Sequence, residues 1–142
     1  MSLVHLLDVN VLVALAWPQH VHHKPARAWF AGIADQGWAT AAPTETGFIR
    51  VSCNPRVVAD ARSPQEAAEY LTALQDYGSW EFWKDDVRIG LNLDGVRGYR
   101  QVTDAHLLQL AADRDGAVAT FDAALGELAN ARGQQALVIP WL

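Results

Sequence analysis

Residues 3–18 read LVHLLDVNVLVALAWP, a long apolar run that carries one aspartate, Asp8, and one asparagine, Asn10. LVHLLD is almost continuously apolar and short, the pattern of a strand buried on both faces, and strands of that kind belong to parallel sheets. NVLVALAWP reads as a helix with Asn10 as its expected N-cap. An unpaired carboxylate inside such a run is expensive to bury, so Asp8 requires compensation from something else. The run has no basic n-region and meets Pro18 before it reaches spanning length, so neither a signal peptide nor a membrane helix is expected.

Working outward, HKPARAWFAGIADQG reads as a second helix with Gly37 as its stop, and WATAA as a strand. PTETGFIRVSCN follows as a helix opening on Pro43. SPQEAAEYLTALQDYG carries a Ser63–Glu66 capping box, an apolar stripe of Ala67, Tyr70, Leu71 and Leu74, and Gly78 as its closing residue. WEFW is a candidate strand, and residues 84–102, rich in charge and glycine, take no assignment. TDAHLLQLAADRDG reads as a helix capped by Thr103. AVATF and ALVIP read as buried strands on either side of the helix DAALGELANARG. Short apolar strands alternating with helices predict an α/β sandwich around a mainly parallel sheet.

The chain has 142 residues, of which 51% are hydrophobic and 19% charged, which suits one domain over residues 1–142 with a real core. Sixteen acidic against eleven basic residues give a net charge of -5, a mild argument against nucleic acid unless divalent cations reverse the local sign. Cys53 is the single cysteine, so no internal disulfide can form, and a reducing cytoplasm is expected.

In open parallel sheets ligands gather at the carboxyl ends of the strands. Four acids fall there: Asp8 after the first strand, Glu45 after WATAA, Asp122 after AVATF, and Asp104 at the start of the helix after the unassigned segment. Singly, Asp104, Asp122 and Glu45 are ordinary first-turn residues at the positive end of a helix. As a set they would repel one another and raise each other's pKa, and no basic residue adjoins Asp8, Glu45 or Asp122 in sequence. Divalent cations would remove the conflict, and all-oxygen ligands select Mg²⁺ or Mn²⁺ over zinc.

LLDVNVLVAL, TETGFIRV, VTDAHLLQLA and ATFDAAL, in that order, resemble the PIN-domain family, and more narrowly its VapC-type toxins. The resemblance spans nearly the whole chain. It implies a PIN-like three-layer α/β/α sandwich and a metal-dependent endoribonuclease whose cofactor is Mg²⁺ or Mn²⁺. It matches Asp8, Glu45, Asp104 and Asp122 to the family's four acidic positions, with Asn10 and Thr120 at supporting polar positions. It also implies an RNA substrate, hydrolysis that leaves a 5′-phosphate and a 3′-hydroxyl, a small VapB-type antitoxin with basic residues for the acidic groove, and a homodimer.

Arg97 and Arg100, in the polar segment before Asp104, are the expected RNA contacts, while most other basic residues read as solvated surface charge. His20, His22 and His23 read as helix-entrance residues and not as a transition-metal site, His106 as a polar neighbour of the site, and Cys53 as a small apolar residue. Trp17, Trp29 and Phe30 suit either an interface or the core. Two other readings compete: a phosphatase with Asp8 as phosphoryl acceptor, weakened by Asn10 at the second acidic position, and a non-catalytic antitoxin-binding module, opposed by the presence of all four acids.

Overall fold

The computed structural model describes residues 3–91 and 93–141; residues 1, 2, 92 and 142, which fall within the expected domain span and the 84–102 segment, lie outside the described residues. Five strands form one sheet: β1 (His5–Leu7), β2 (Trp38–Ala41), β3 (Trp80–Trp83), β4 (Ala117–Thr120) and β5 (Ala136–Val138). Their order is β3-β2-β1-β4-β5, and each neighbouring pair is parallel. The described helices are α1 (Val9–Ala16), α2 (His23–Ile33), α3 (Ala42–Ser52), α4 (Pro64–Leu74), α5 (Val102–Asp113) and α6 (Ala123–Arg132).

Successive strand residues point to opposite faces, and β1 illustrates the consequence. Leu7 packs into one apolar cluster with residues of α1 to α4, among them Val11, Leu15, Phe30, Phe48 and Leu71. Leu6 packs into a second, on the other face, with Leu107, Leu108, Leu125 and Leu128 of α5 and α6. The result is the three-layer α/β/α sandwich. Trp17 and Phe30 are buried in the first cluster and Trp29 packs half-buried against it, so these aromatics are core residues. No helix among the described residues is long and apolar enough to cross a membrane.

The chain leaves β1 towards β2 by way of α1 and α2 on one face, and leaves β4 towards β5 by way of α6 on the other. The neighbouring ends of β1 and β4 therefore form the switch point at which open α/β sheets open a crevice.

Several local expectations change. β1 runs into α1 with only Asp8 between them, so Asp8, not Asn10, is the N-cap, and its Oδ1 accepts from the Val9 N–H at 2.8 Å. Asn10 lies inside the first turn, freed to reach β4. α5 begins at Val102 directly after a single turn of 3-10 helix, Tyr99–Gln101, which leaves Thr103 inside the first turn and without a capping role. α4 ends at Leu74, and Gly78, at φ 60°, instead turns the chain into β3. Its missing Cβ accommodates the Ala34 carbonyl, with which a side chain there would collide. β5 is an edge strand, with Leu137 and Val138 exposed to 36% and 37%, and not a buried one. The Ser63–Glu66 capping box forms as read.

One contact in the fold bears directly on the site. A Cβ on Gly47 would lie 2.5 Å from Cγ2 of Val9, the residue after Asp8. The glycine thus lets α3 close onto the first turn of α1. Val9 is β-branched and cannot swing clear, so Gly47→Ala is expected to destabilise the protein by about 1–3 kcal/mol through overpacking. Chemical denaturation measures the loss, and adding Val9→Ala should restore most of it.

Candidate active site

Asp8 stands at the end of β1, where its backbone N–H donates to the Ala119 carbonyl of β4 at 2.9 Å. Register pairs Leu7 with Ala119, so Asp8 and Thr120 lie level on adjacent strands. The Thr120 hydroxyl is fully buried and joins three groups. It donates to Oδ2 of Asp8 at 2.8 Å and accepts from Nδ2 of Asn10 at 3.2 Å and from the Asp122 N–H at 3.0 Å. Asn10 completes the link with its Oδ1, which accepts from the Phe121 N–H at 3.2 Å. Both oxygens of Asp8 and the backbone around Asp122 are therefore held by groups of the two central strand ends and α1.

Asp122 caps α6, accepting from the Ala124 N–H at 2.9 Å, and is exposed. Asp104 is half-buried in the first turn of α5. Burial raises the pKa of Asp8, against the lowering effect of its hydrogen bonds to Thr120 and Val9, and the charge of Asp122 raises it further. Burial, followed by the charges of Asp8 and Asp122, pushes Asp104 up to about 6. Asp8, Asp104 and Asp122 thus act on one another, as carboxylates gathered at one sheet edge must. Among the described residues none of the three is paired with a basic side chain, and Asp104 has no hydrogen-bond partner.

Glu45 projects from the first turn of α3 at the end of β2 but is not among the charges acting on Asp8 or Asp104. Its Oε2 accepts from the Thr40 hydroxyl at 2.6 Å and from Nε2 of Gln75 at 3.0 Å, and Trp80 Nε1 in turn donates to Thr40 at 3.0 Å. Thr44 fixes the turn by exchanging hydrogen bonds with both backbone groups of Ala41. The four expected acids therefore divide into a trio of aspartates and a glutamate held in its own network. Nothing in the sequence signals Gln75 or Trp80, which come from elements 30 and 35 residues downstream of Glu45.

Among the described residues no group of three or more histidine, cysteine, aspartate or glutamate side chains is drawn together closely enough to hold a metal ion by itself. Mg²⁺ and Mn²⁺ do not need such a group, since hard ions of this size keep several waters and use one or two carboxylates together with substrate phosphate. An open trio of aspartates lacking a cationic partner suits that chemistry. His106, by contrast, is engaged elsewhere: its Nε2 lies 2.6 Å from Oδ2 of Asp85, tying the segment after β3 to α5. Arg97 and Arg100 are exposed in the segment before α5, with the Arg100 guanidinium 5.7 Å from the Tyr99 ring centroid.

The raised aspartates give the metal-free protein a defined pH response. An acid whose pKa is higher folded than unfolded binds more protons when folded, so stability falls as pH climbs from the unfolded value to the folded one. In EDTA, the melting temperature is expected to decline between the ordinary aspartate range and about pH 6, with Asp104→Asn flattening the slope. Scanning calorimetry across that range provides the check.

A family model described as PIN domain matches residues 5–131. The chain belongs to the PIN-domain family. Curated relatives place it on the VapC-type branch. It is 49% identical over 128 residues to Ribonuclease VapC38 of Mycobacterium tuberculosis, covering 89% of this chain and 91% of that protein. It is 45% identical over 130 residues to Ribonuclease VapC39 of the same organism, covering 89% and 94%. Ribonuclease VapC29 is 40% identical over 136 residues, covering 95% and 96%. Among solved structures, a domain of a functionally unknown protein from Methanocaldococcus jannaschii superposes with a TM-score of 0.56 at 15% identity, covering 98% of this chain and 92% of that one, a likeness of fold alone.

Proposed function

We propose that this PIN domain is the endoribonuclease toxin of a toxin–antitoxin pair, with Asp8, Asp104 and Asp122 holding Mg²⁺ or Mn²⁺. The observation that carries the proposal is the clustering of the three aspartates at the β1–β4 switch point, where their charges oppose one another and no basic group offsets them. The names of the VapC relatives supply the reaction class. In this reading the whole chain, residues 1–142, works as a single PIN domain.

When bound, the ion supplies positive charge to the scissile phosphate and acidifies water. Thr120 and Asn10 keep Asp8 aimed and hold the backbone before Asp122, so the ligands need no rearrangement as substrate arrives. Glu45, fixed through Oε2, presents Oε1 to orient or deprotonate the attacking water. Water adds at phosphorus, the bond to the 3′ oxygen breaks, and the products carry a 5′-phosphate and a 3′-hydroxyl. In the cell the partner is a VapB-type antitoxin whose basic residues enter the acidic crevice, and the toxin acts in the cytoplasm as a homodimer.

Incubating the protein with a mixed RNA pool in Mg²⁺, in Mn²⁺ and in EDTA tests the reading. Internal cutting confined to the metal-containing samples supports it, and cutting that persists undiminished in EDTA rules out the metal role. Arg97 and Arg100 are assigned to the RNA backbone. Replacing both with alanine should weaken binding and reduce the slope of log affinity against log salt by about 0.7 for each phosphate that is no longer neutralised. An unchanged slope would return both to ordinary surface charge.

A further inference from the structure

Phe121 separates Thr120 from Asp122 in the chain, and its backbone N–H donates to Asn10, which holds its backbone beside the aspartate trio. The His22 ring lies almost parallel to it, with centroids 4.6 Å apart and planes 20° apart. Trp141 approaches the same His22 ring at 4.9 Å and 50°. His22 Nδ1 is buried with no hydrogen-bond partner among the described residues, so the ring is kept in place by its aromatic neighbours. These residues come from three distant parts of the chain: the entrance to α2, the end of β4 and the segment after β5.

Core packing accounts for Phe121, which lies against the first apolar cluster, but not for Trp141, which belongs to neither cluster. Phe121 and His22 are half-buried, while Trp141 leaves 52% of its surface exposed, although a Trp side chain carries one of the largest apolar surfaces available. The electrostatics of the chain leave room for a further contact. A protein of net charge -5 has little long-range attraction for phosphate, so contacts that do not depend on charge would add usefully to those of Arg97, Arg100 and a bound cation. Base–aromatic stacking is such a contact, and it tolerates any sequence because every base has a π-face.

We propose that Trp141, backed by His22 and Phe121, is a stacking platform for one unpaired base of the RNA, next to the bond presented to the aspartates. The proposal rests on the ribonuclease reading and extends it by naming where single-stranded substrate is gripped. Unpaired bases, and not duplex, are the target, because a base within a helix offers no free face.

The test measures binding separately from cutting. Fluorescence anisotropy follows labelled hexauridylate and hexaadenylate binding to the Asp104→Asn protein, which lacks one of the charges that repel phosphate. Adding Trp141→Ala should weaken binding of both oligomers about 5- to 100-fold, and Trp141→Phe should recover most of the loss. Moving an abasic position along the oligomer should reveal one nucleotide whose base matters with Trp141 present and not with alanine there. Equal binding by the Trp141→Ala variant, a flat abasic scan, or no binding of either oligomer would overturn the platform. So would unchanged RNA affinity with an altered oligomeric state in sedimentation, which would make the cluster an interface between copies. Metal-dependent cutting with Trp141-independent binding removes the platform and keeps the ribonuclease reading. Trp141-dependent binding without any metal-dependent cutting does the reverse.

Discussion

Asp104→Asn is expected to lower the rate of metal-dependent RNA cleavage by about 10³-fold while leaving the metal-free protein at about pH 7.5 more stable than wild type. The loss follows from the proposed role of Asp104 as a ligand, since the ion it would hold would supply several kcal/mol of charge stabilisation at the reacting phosphate. The gain follows from the electrostatics: Asp104 is pushed up to about 6 by burial and by Asp8 and Asp122, so above that pH its ionised form works against folding. Asparagine has nearly the same shape and no charge. Asp104 also makes no hydrogen bond among the described residues that the substitution would break. A residue kept at a cost to stability is the mark of a site selected for function. Single-turnover cleavage and thermal melting in EDTA, on the same preparations, give the two readouts. An inactive variant that is also less stable would assign Asp104 to structure. Asp8→Asn should be equally inactive but gain less stability, since its carboxylate also caps α1 and accepts from Thr120.

Thr120→Val should produce the second largest effect although it removes no ligand. The substitution keeps the branched shape and deletes the hydroxyl that serves Asp8, Asn10 and the Asp122 N–H together. Leaving those groups without their partner in a fully buried position should cost about 1–3 kcal/mol of stability. Loss of the group that orients Asp8, a proposed ligand, should also reduce cleavage about 10- to 100-fold. Thr120→Ser, which retains the hydroxyl, should recover most of the activity. The comparison of valine with serine isolates the hydrogen bonds from packing, because serine removes the methyl and keeps the oxygen. A valine variant that cuts RNA as fast as wild type would reduce Thr120 to a strand residue with a convenient donor.

The parallel sheet and the positions of its strand ends were legible because burial on both faces leaves short uninterrupted apolar runs, as at residues 5–7 and 117–120. The same logic put Asp8 and Asp122 at the carboxyl ends of strands, since each closely follows such a run; that those two ends are neighbours follows from the sheet order. Boundaries set by tertiary contacts were harder to read. Asn10 has the side chain of an N-cap, but the chain turns into α1 sooner than a cap at Asn10 requires, and its amide is used to bridge to β4. ALVIP has the composition of a buried strand, yet β5 has one neighbour only and stays partly exposed, a distinction that sheet order makes and composition does not. The partners of Glu45, and the meeting of His22 with Phe121 and Trp141, depend on segments brought together by the crossovers. No local pattern encodes such meetings.

Everything proposed for the chemistry depends on Asp8, Asp104 and Asp122 forming a hard-cation site, and Mn²⁺ binding followed by electron paramagnetic resonance addresses that without reference to RNA. Free hexaaquo-Mn²⁺ gives a sharp six-line signal that diminishes on binding, so titration into wild type, Asp8→Asn, Asp104→Asn and Glu45→Gln reads occupancy directly. Loss of signal with wild type, its return with either aspartate variant, and a smaller change with Glu45→Gln are the results expected. Mn²⁺ bound equally well by Asp8→Asn and Asp104→Asn would contradict the assignment and move the metal, and with it the chemistry, elsewhere in the molecule.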